Sequence, residues 1–460
     1  MDFAAIVQRH RIFFQSGATR PLEFRRAQLE KLSAAVDQNE AALLAALHAD
    51  LRKSPDQAYV TEIALVQAEI RCAAKNLRRW TKPKRGRTPW FVAPATGWVQ
   101  PEPFGVGLIF SPWNYPLQLM FMPLVSAIAA GNCVLLKPSE LAPHTADAMV
   151  KLIRENFAEE FISIVTGGVD VAEALLRERF DKIFFTGGAR AGRAVMTAAA
   201  RHLTPVTLEL GGKCPTIVCA DAPIELAARR IAWGKFMNAG QTCVAPDFVL
   251  VERGVRDAFV AALQKSLREF YGDDPSRSND YGRIVNQRHF NRLVNYLRDG
   301  KIIHGGAHEA KDLFIAPTIL ADVSLDSAVM QEEIFGPILP VLEFDKLDEV
   351  LALLRTRPTP LALYVFTRDR ITEARVLTEA RSGGACVNDV VSQMVGTGLS
   401  FGGLGESGLG AYHGRVGFEA FSHQRTVLRR ALWVDPPFRY PPPKFALATL
   451  KRAIKFLLGD

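Results

Sequence analysis

The chain has 460 residues, of which 48% are hydrophobic and 23% are charged, and its formal net charge at pH 7 is +8. This length suits about three units of ~150 residues each, and the composition excludes a disordered or fibrous chain. The six cysteines show neither paired disulfide spacing nor the CxxC or Cys/His spacing of a zinc site, so we expect a reduced, cytoplasmic protein without a metal.

The N-terminal part of the chain predicts helices followed by an extended hairpin. Its first residues, MDFAAIVQRHRIFF, carry charges where a signal peptide needs an apolar core, so we do not expect secretion. Residues 21 to 78 have the apolar periodicity of helices, with a turn at Lys53–Asp56. In residues 80 to 103, prolines alternate with aromatic and aliphatic residues, which favours a hairpin that projects from the body.

An uncharged segment, Phe104 to Leu136, is long enough for a transmembrane alternative. Prolines and polar residues interrupt it, so a buried strand–helix–strand unit fits better. Further short apolar strands then alternate with helices up to about residue 210, and a second α/β block follows to about residue 400. This alternation predicts parallel sheets with helices on both faces.

The positive charge is concentrated in two stretches. Residues 78 to 87 carry six basic side chains and no acidic one, and residues 425 to 460 carry eight basic and two acidic residues. Aromatic residues do not recur at regular intervals beside these charges, and no known nucleic-acid-binding module is visible. We therefore do not expect a nucleic acid as a partner.

Two short segments carry residues suited to covalent catalysis. FMNAGQTCVAP (236–246) sets Cys243 among small and polar neighbours, which suits a nucleophilic thiol at the mouth of a cleft. VTLELGGKCP (206–215) ends a β-rich run by delivering Glu209 into a Gly-Gly turn. A cysteine and a carboxylate form a nucleophile and a general base if the fold brings them together.

These two segments resemble the two signatures of the aldehyde dehydrogenase superfamily. The early start of the first helix and the pair His413–Gly414 resemble its class 3 branch most. Together the similar motifs cover about residue 15 to residue 430, in the family's order. The further motifs are SPWNYPLQL (111–119), LLKPSE (135–140), FFTGGARAG (184–192), EEIFGP (332–337) and SFGGLGESGLGAYHG (400–414).

The resemblance implies an α/β fold with three parts and a basic tail, and it implies a homodimer. The parts are a Rossmann-type NAD(P)-binding domain, an α/β catalytic domain and a small β bridging element. Their expected ranges are 1–80 and 104–209 for the cofactor domain, 210–422 for the catalytic domain, 81–103 and 423–437 for the bridging element, and 438–460 for the tail.

For catalysis, the resemblance implies that the Cys243 thiolate attacks an aldehyde. Asn114 and the backbone amide of Cys243 would stabilise the oxyanion. Glu209 is the first choice for the base that activates the deacylating water, and Glu333 is the second. Two other classes of protein stay open. A CoA-acylating relative typically lacks the carboxylate of ELGGK, and a non-enzymatic protein would have no need to keep these residues together.

The expected cofactor is NAD or NADP, with the preference open. FFTGGARAG follows a predicted strand and leads into a helix, so Gly187, Gly188 and Gly192 could bring phosphate to a helix N-terminus; the alternative is an ordinary strand–helix turn. The sequence GLGESG (403–408) matches the common dinucleotide-binding spacing, but it follows no convincing strand. By resemblance, the remaining cofactor contacts are Lys137 and Glu140 on the adenosine ribose, Glu333 on the nicotinamide ribose and Phe335 against the nicotinamide.

The family places several aromatic residues around a substrate tunnel. Tyr115, Trp233 and Phe401 lie in or beside its motifs, and an aromatic lining favours aromatic or medium-to-long aliphatic aldehydes. His413, in a glycine-rich loop, has either a structural role or a role in this pocket.

The C-terminal tail predicts one short amphipathic helix. In KFALATLKRAIKFLLGD, five apolar residues recur at helical spacing while the basic residues fall largely elsewhere. The helix is too short to span a bilayer. It either caps the substrate tunnel of its own dimer or makes a peripheral contact with an anionic membrane. The apolar residues are Leu447, Leu450, Ile454, Leu457 and Leu458.

Overall fold

The computed structural model describes residues 2–89, 92–435, 439–442 and 445–458. Its helices are α1 (Phe3–Gln15), α2 (Leu22–Gln38), α3 (Glu40–Leu51), α4 (Pro55–Ala58), α5 (Ala64–Thr81), α6 (Gln118–Ala130), α7 (Pro143–Asn156), α8 (Val169–Leu175), α9 (Ala189–Ala200), α10 (Ile224–Phe236), α11 (Arg256–Tyr271), α12 (Gln287–Tyr296), α13 (Ala328–Gln331), α14 (Leu347–Thr356), α15 (Arg370–Glu379), α16 (Gly414–Ala420) and α17 (Leu447–Leu458). Its strands are β1 (Lys84–Gly86), β2 (Ala95–Pro103), β3 (Val106–Phe110), β4 (Cys133–Lys137), β5 (Ile162–Ile164), β6 (Lys182–Thr186), β7 (Val206–Glu209), β8 (Pro215–Val218), β9 (Phe248–Glu252), β10 (Lys301–His304), β11 (His308–Glu309), β12 (Phe314–Ile315), β13 (Thr318–Ala321), β14 (Ile338–Phe344), β15 (Ala362–Phe366), β16 (Gly384–Val387), β17 (Gly408–Leu409) and β18 (Ser422–Arg430).

The first large sheet has six strands in the order β17-β7-β6-β3-β4-β5. Strands β3 to β7 pair in parallel, while β17 pairs antiparallel with β7. The parallel strands are almost entirely buried, as expected where helices cover both faces. The predicted alternation of strands and helices is confirmed here. The uncharged segment forms β3, α6 and most of β4, and no helix among the described residues is long and apolar enough to cross a membrane.

The second large sheet has seven strands in the order β10-β13-β14-β9-β8-β15-β16. All of them run parallel except β10, which pairs antiparallel with β13. The short connection from Leu210 to Cys214 leads directly from β7 of the first sheet to β8 of the second. The carboxyl edge of one sheet is thereby linked to the amino edge of the other.

The N-terminal helices pack against the first sheet and against α6. Leu29, Leu32 and Val36 recur three and four residues apart on α2 and are fully buried, which is the pattern of an amphipathic helix. The predicted turn at Lys53–Asp56 is shorter than expected, because α4 already begins at Pro55, with the Ser54 hydroxyl accepting a bond from the Gln57 amide. A π-helical turn, Tyr59–Ile63, joins α4 to α5.

A separate three-stranded sheet has the order β1-β2-β18. Strand β18 pairs antiparallel with β2 over nine residues, from Ser422 opposite Pro103 to Arg430 opposite Ala95. The predicted hairpin of residues 80 to 103 is present as β1 and β2. Its residues 90 and 91 lie outside the described part of the chain.

One segment differs from the expected domain boundary. Residues 401 to 421 fall in the range predicted for the second domain, yet they pack on the first sheet and on α5 and α6. Aromatic packing explains this position, since the ring of Phe184 on β6 lies 5.0 Å from that of Tyr412 and 6.0 Å from that of Phe421. The segment therefore packs with the first sheet although it follows the second sheet in the sequence.

Candidate active site

A cavity of ≈ 640 Å³ lies where the carboxyl edge of the first sheet meets the amino edge of the second. Strand register explains which residues gather there. Phe110 pairs with both Lys137 and Phe185, and Thr186 pairs with Glu209, so the loops after β3, β4, β6 and β7 leave one common edge. The lining includes Asn114, Thr186–Arg190, Glu209–Lys213, Cys243 and Gln331–Glu333.

Cys243 follows a tight turn that only an unusual backbone can make. Asn238 and Ala239 have φ of 53° and 52°, and Gly240 has φ of 74°, all in the left-handed region. A Cβ at Gly240 would lie 2.2 Å from the carbonyl oxygen of Gly336, so the glycine is required on steric grounds as well. Left-handed non-glycine residues often cluster at functional sites.

Two amides that the sequence analysis did not single out hold this turn. The Gln241 side chain donates to the carbonyl oxygens of Asn238 and Arg283 at 3.0 and 2.9 Å and accepts from the amide of Val285 at 3.0 Å. The Asn238 side chain donates to the carbonyl oxygens of Asn114 and Gln241, at 3.0 and 3.1 Å. Their position beside Cys243 in FMNAGQTC was the feature of the sequence that could have identified them.

Asn114 lies next to the cysteine turn, as the oxyanion hypothesis requires. Its side-chain Nδ2 donates to the carbonyl oxygen of Gln241 at 3.1 Å, and the residue is buried. The neighbouring Tyr115 hydroxyl bonds the hydroxyl of Thr242, at 2.7 Å. The loop after β3 and the segment before Cys243 are therefore joined by several hydrogen bonds.

Glu209 ends β7 at the wall of the cavity. It is buried, and neither carboxyl oxygen has a hydrogen-bond partner in the described part of the chain. Burial raises the pKa of this carboxyl well above its ordinary value. A buried carboxyl group without partners is costly to maintain, and its place beside a thiol fits a base that bonds a water or a substrate.

Glu333 lies against the glycine turn that follows Glu209. A Cβ at Gly211 would lie 2.2 Å from its Oε2, so a larger residue there would push this carboxyl aside. Burial, and secondarily the charge of Asp247, raises the pKa of Glu333 to about 8. Arg292, another residue missed from the sequence, donates to the carbonyl oxygens of Glu333 and Ile334 at 3.3 and 2.8 Å.

The electrostatics of the site favour a protonated thiol. Burial raises the pKa of Cys243 above its ordinary value, and the charges of Glu333 and Glu209 raise it further. A thiolate nucleophile was expected from the sequence. In this arrangement the thiol keeps its proton at neutral pH until a neighbouring base removes it.

The glycine loop after β6 fits a nucleotide phosphate. Gly188 is the N-cap of α9 and makes no side-chain capping bond, and a Cβ at this residue would meet no atom within 4 Å. Gly188, Ala189 and Arg190 of this turn line the cavity, where the helix dipole favours an anion. Gly192 lets the helix approach the sheet, since a Cβ there would lie 2.7 Å from Leu210.

The other predicted cofactor residues lie along the same edge. Lys137 is buried at the end of β4, and its Nζ forms an ion pair of 2.8 Å with the half-exposed Glu140. Phe335 has a left-handed φ of 49°, and its ring lies edge-on to Trp113 with centroids 5.3 Å apart. These residues can hold a dinucleotide that extends from the first sheet toward Cys243.

The four predicted substrate residues are not gathered in this cavity. Tyr115, Phe401 and His413 are buried, and Phe401 stacks on His413 with ring centroids 5.5 Å apart. Trp233, on α10, is 45% exposed. None of the four belongs to the described lining of the cavity. The hydroxyl of Tyr115 nevertheless bonds the hydroxyl of Thr242, the residue before Cys243.

His413 is one of the least satisfied polar side chains that the structure describes. Neither of its ring nitrogens has a hydrogen-bond partner there. Burial lowers its pKa to about 4, so the ring is neutral at physiological pH. A neutral ring stacked on Phe401 suits both alternatives raised for it, the structural and the pocket role.

The six cysteines are all free thiols, and the described residues contain no group of histidine, cysteine or acidic side chains that could hold a metal ion. Cys133 and Cys219 are buried, as expected for core residues, whereas Cys72 and Cys386 are only partly buried. Cys214 donates to the carbonyl oxygen of Cys243 at 3.4 Å and thus supports the catalytic turn.

A family model described as "Aldehyde dehydrogenase family" matches residues 1–427 of the chain. The 4,4'-diaponeurosporen-aldehyde dehydrogenase of Staphylococcus aureus (strain NCTC 8325 / PS 47) is 44% identical over 445 residues, which are 96% of this chain and 97% of that protein. The mouse protein named "Aldehyde dehydrogenase, dimeric NADP-preferring" is 45% identical over 443 residues, 96% of this chain and 98% of its own.

Human aldehyde dehydrogenase family 3 member B1 is 45% identical over 438 residues, covering 95% of this chain and 94% of its own. Among solved structures, the substrate-bound state of Staphylococcus aureus AldH superimposes with a TM-score of 0.96 at 43% identity, covering 98% of this chain and 99% of the other. An NAD-dependent aldehyde dehydrogenase from Sinorhizobium meliloti gives a TM-score of 0.86 at 31% identity, covering 95% of this chain and 88% of the other.

Proposed function

This chain belongs to the aldehyde dehydrogenase family and is an oxidoreductase acting on aldehydes, and we propose that Cys243, Asn114 and Glu209 carry out its reaction. The observation that supports this assignment most is their convergence. The three residues come from separate segments, yet all of them line the cavity that also contains the glycine loop. Because Glu209 is present and faces the cavity, we favour hydrolytic release of an acid over transfer to coenzyme A.

The proposed reaction begins with attack of the Cys243 sulfur on the aldehyde carbon. The thiol proton passes to a neighbouring carboxylate, and the carbonyl oxygen becomes an oxyanion that accepts bonds from the Asn114 amide and the Cys243 backbone amide. When bound, NAD(P)+ supplies the hydride acceptor. Loss of hydride leaves a thioester on Cys243. The carboxylate that took the thiol proton releases it to solvent. Glu209 then takes a proton from water as that water attacks the thioester carbon; the carbon–sulfur bond breaks, the acid leaves, and the proton passes from Glu209 to the sulfur, which restores the thiol.

We assign the cofactor contacts to both edges of the cavity. Gly187, Gly188 and Gly192 would hold the phosphates, and the ion pair of Lys137 and Glu140 would bind the adenosine ribose. Glu333 and Phe335 approach the nicotinamide end from the second sheet. The relatives include an NADP-preferring and an NAD-dependent enzyme, so either cofactor suits this site and the preference is a matter for measurement.

We propose that the substrates are aromatic or medium-to-long aliphatic aldehydes, with Tyr115, Trp233, Phe401 and His413 around the substrate path. One relative is named for 4,4'-diaponeurosporen-aldehyde, so the family branch around this chain accepts aldehydes larger than acetaldehyde. Tyr115 and Phe401 are buried aromatic residues. Tyr115 bonds Thr242 in the cysteine turn, and Phe401 packs edge-on against Tyr412. Aldehydes with more apolar surface should therefore bind better.

An aldehyde series tests both the reaction and the substrate class. We expect kcat/KM to rise from acetaldehyde to hexanal and benzaldehyde, because each buried CH₂ contributes ~0.8 kcal/mol, or about fourfold. The measurement is the absorbance of NADH and, separately, of NADPH. A flat or falling series would contradict the proposed substrate class, and no reduction of either cofactor by any aldehyde would contradict the reaction itself.

We propose the following assembly. The first sheet with its helices forms the cofactor domain, the second sheet forms the catalytic domain from 210 to about 400, and β1, β2 and β18 form the bridging element. Residues 401 to 421 join the cofactor domain.

A relative is named dimeric, and β18 forms an edge of its sheet, so we propose that two copies associate through this bridging element. We place the enzyme in the cytoplasm.

We propose that the C-terminal helix makes peripheral contact with an anionic membrane. The helix α17 is present as predicted, and three of its apolar residues, Leu447, Leu450 and Ile454, are 65%, 41% and 44% exposed. Lys451, Lys455 and their neighbour Arg452 are exposed beside them. Exposed leucines together with a cluster of cations suit the headgroup region of an anionic bilayer. Part of the tail, residues 436–438, 443–444 and 459–460, lies outside the described residues.

Deleting residues 444 to 460 should abolish co-sedimentation with vesicles that contain anionic lipid, while activity on short aldehydes stays unchanged. Replacing Lys451, Arg452 and Lys455 by glutamine tests the charge separately, since it keeps the helix and removes only its positive charge. This variant should also bind the vesicles more weakly. If the intact protein does not bind vesicles and the deletion alters chain-length preference instead, the helix caps the substrate path.

A further inference from the structure

A buried ion pair lies beneath the loop that carries Asn114. The Nζ of Lys53 lies 2.5 Å from Oε1 of Glu62, and both side chains are 0% exposed. Burying two charges is costly, and replacing such a pair by apolar residues is often neutral or stabilising. A role beyond stability is therefore a reasonable expectation for this pair. Lys53 follows α3, and Glu62 lies in the π-helical turn before α5, a kind of distortion that is frequent at functional sites.

The lysine contacts the oxyanion loop directly. Its Nζ donates to the carbonyl oxygen of Asn114 at 2.9 Å, and it lies 3.9 Å from the centre of the Tyr115 ring. The same carbonyl oxygen also accepts from Asn238, the amide that holds the turn before the nucleophile. The peptide group of Asn114 is thus fixed from both sides, by the ion pair and by the catalytic turn.

The glutamate fixes the other end of the same loop. Its Oε2 accepts from the backbone amides of Leu117 and Gln118, at 2.9 and 3.1 Å, where helix α6 begins. A carboxylate at this place satisfies free amides and favours the helix dipole. The side-chain hydrogen bonds of Glu62 and Lys53, apart from the bond between them, all end on residues 114 to 118.

We infer that the Lys53–Glu62 pair is a positioning device for the oxyanion-binding amide of Asn114, an inference that rests on the oxyanion role proposed above. The pair touches neither the cavity nor the cysteine, so it acts only through the loop. A shift of a catalytic group by about 1 Å costs on the order of 100-fold in rate. Three hydrogen bonds and one ring contact from the pair to this loop are suited to prevent such a shift.

The test is the double substitution Lys53→Met with Glu62→Gln, which leaves no unpaired buried charge. Glutamine still accepts from the amides of Leu117 and Gln118, whereas the contacts of Lys53 with Asn114 and Tyr115 are lost. We expect the burst rate of NADH formation to fall about 10-fold to 100-fold, with the KM for NAD changed less than about twofold because the phosphate site is untouched. If this variant does not fold, Lys53→Gln with Glu62→Gln keeps a hydrogen-bonded pair in the same space.

A double-mutant cycle separates positioning from a general loss of structure. Asn114→Ala alone should lower the burst rate by about 10²-fold to 10³-fold. Adding the pair substitution to Asn114→Ala should lower it by less than about twofold more, because the pair acts through that amide. Lys182→Met is the matched control, since it removes another buried lysine, bonded to Thr207 at 2.8 Å at the far end of β6, and should lower thermal stability without changing the burst rate.

Several results would overturn the inference. They are an unchanged burst rate in the pair variant, the same factor of loss with and without Asn114, or an equal loss in Lys182→Met at equal loss of stability. If Asn114→Ala itself has no effect, the oxyanion role fails and this inference fails with it. If Asn114→Ala is impaired and the pair variant is not, the proposed function stands and only the positioning role is lost.

Discussion

Cys243→Ser is expected to abolish aldehyde oxidation and to leave cofactor binding intact. An alcohol is far less acidic than a thiol, so a carboxylate that can take the proton of a cysteine thiol cannot ionise a serine hydroxyl to a useful extent. The loss should be on the order of 10⁴-fold or more in kcat, as for other covalent nucleophiles. Steady-state assays with NAD and NADP measure the rate, and quenching of tryptophan fluorescence by NADH measures cofactor binding.

The matched control for this variant is Cys386→Ser. Cys386 is a partly buried free thiol on β16, away from the cavity, where its sulfur bonds the side chain of Gln393. Its activity should stay within about twofold of the unchanged protein. Retained oxidation in Cys243→Ser, or a parallel loss in both variants, would show that the thiol of Cys243 is not the nucleophile.

The first sheet was predictable because its parallel strands are buried on both faces. Such strands appear in the sequence as short, nearly continuous apolar runs such as VGLIF and CVLLK, and helices separate them. The segment of residues 401 to 421 was not predictable in the same way. Its position depends on packing of Tyr412 and Phe421 against Phe184, contacts between residues more than two hundred positions apart in the chain.

The residues of the candidate site also differ in whether the sequence could predict them. Cys243, Glu209 and Asn114 lie in motifs with unusual local sequence, and the fold brings them to one cavity. Lys53 and Glu62 carry no such mark, because a lysine and a glutamate nine residues apart are common on solvated surfaces. Only the packing of α4, α5 and α6 buries them under the oxyanion loop.

The substrate residues show what a motif cannot determine. Trp233 lies beside a family motif, yet it is 45% exposed, because it lies on the face of α10 that is open to solvent. Tyr115 is held next to the catalytic segment by a hydroxyl bond to Thr242. Side-chain orientation around a substrate path therefore has to come from the structure or from kinetics.

Glu209→Gln is expected to give a burst of NADH followed by a slow steady state. Glutamine fills the same space but cannot take a proton from water, so the thioester forms and then accumulates. General-base catalysis typically contributes about 10²-fold to 10⁴-fold, which sets the expected loss in the steady-state rate. Rapid-mixing measurements of NADH absorbance separate the two phases. Glu333→Gln is the matched control, because Glu333 is the second candidate for the base and faces the same cavity.

The pH dependence gives an independent test of this assignment. Burial raises the pKa of Glu209 well above its ordinary value, and a general base acts only in its ionised form. The steady-state rate of the unchanged protein should therefore rise with pH over a range higher than that in which an ordinary carboxyl group ionises, and Glu209→Gln should lose that rise. Because the pKa of Glu333 is also raised, to about 8, the sign of the profile is the same for both residues and the variants must decide between them. A rise that persists in Glu209→Gln and disappears in Glu333→Gln would make Glu333 the base, and loss of the burst in Glu209→Gln would place Glu209 in the first half of the reaction.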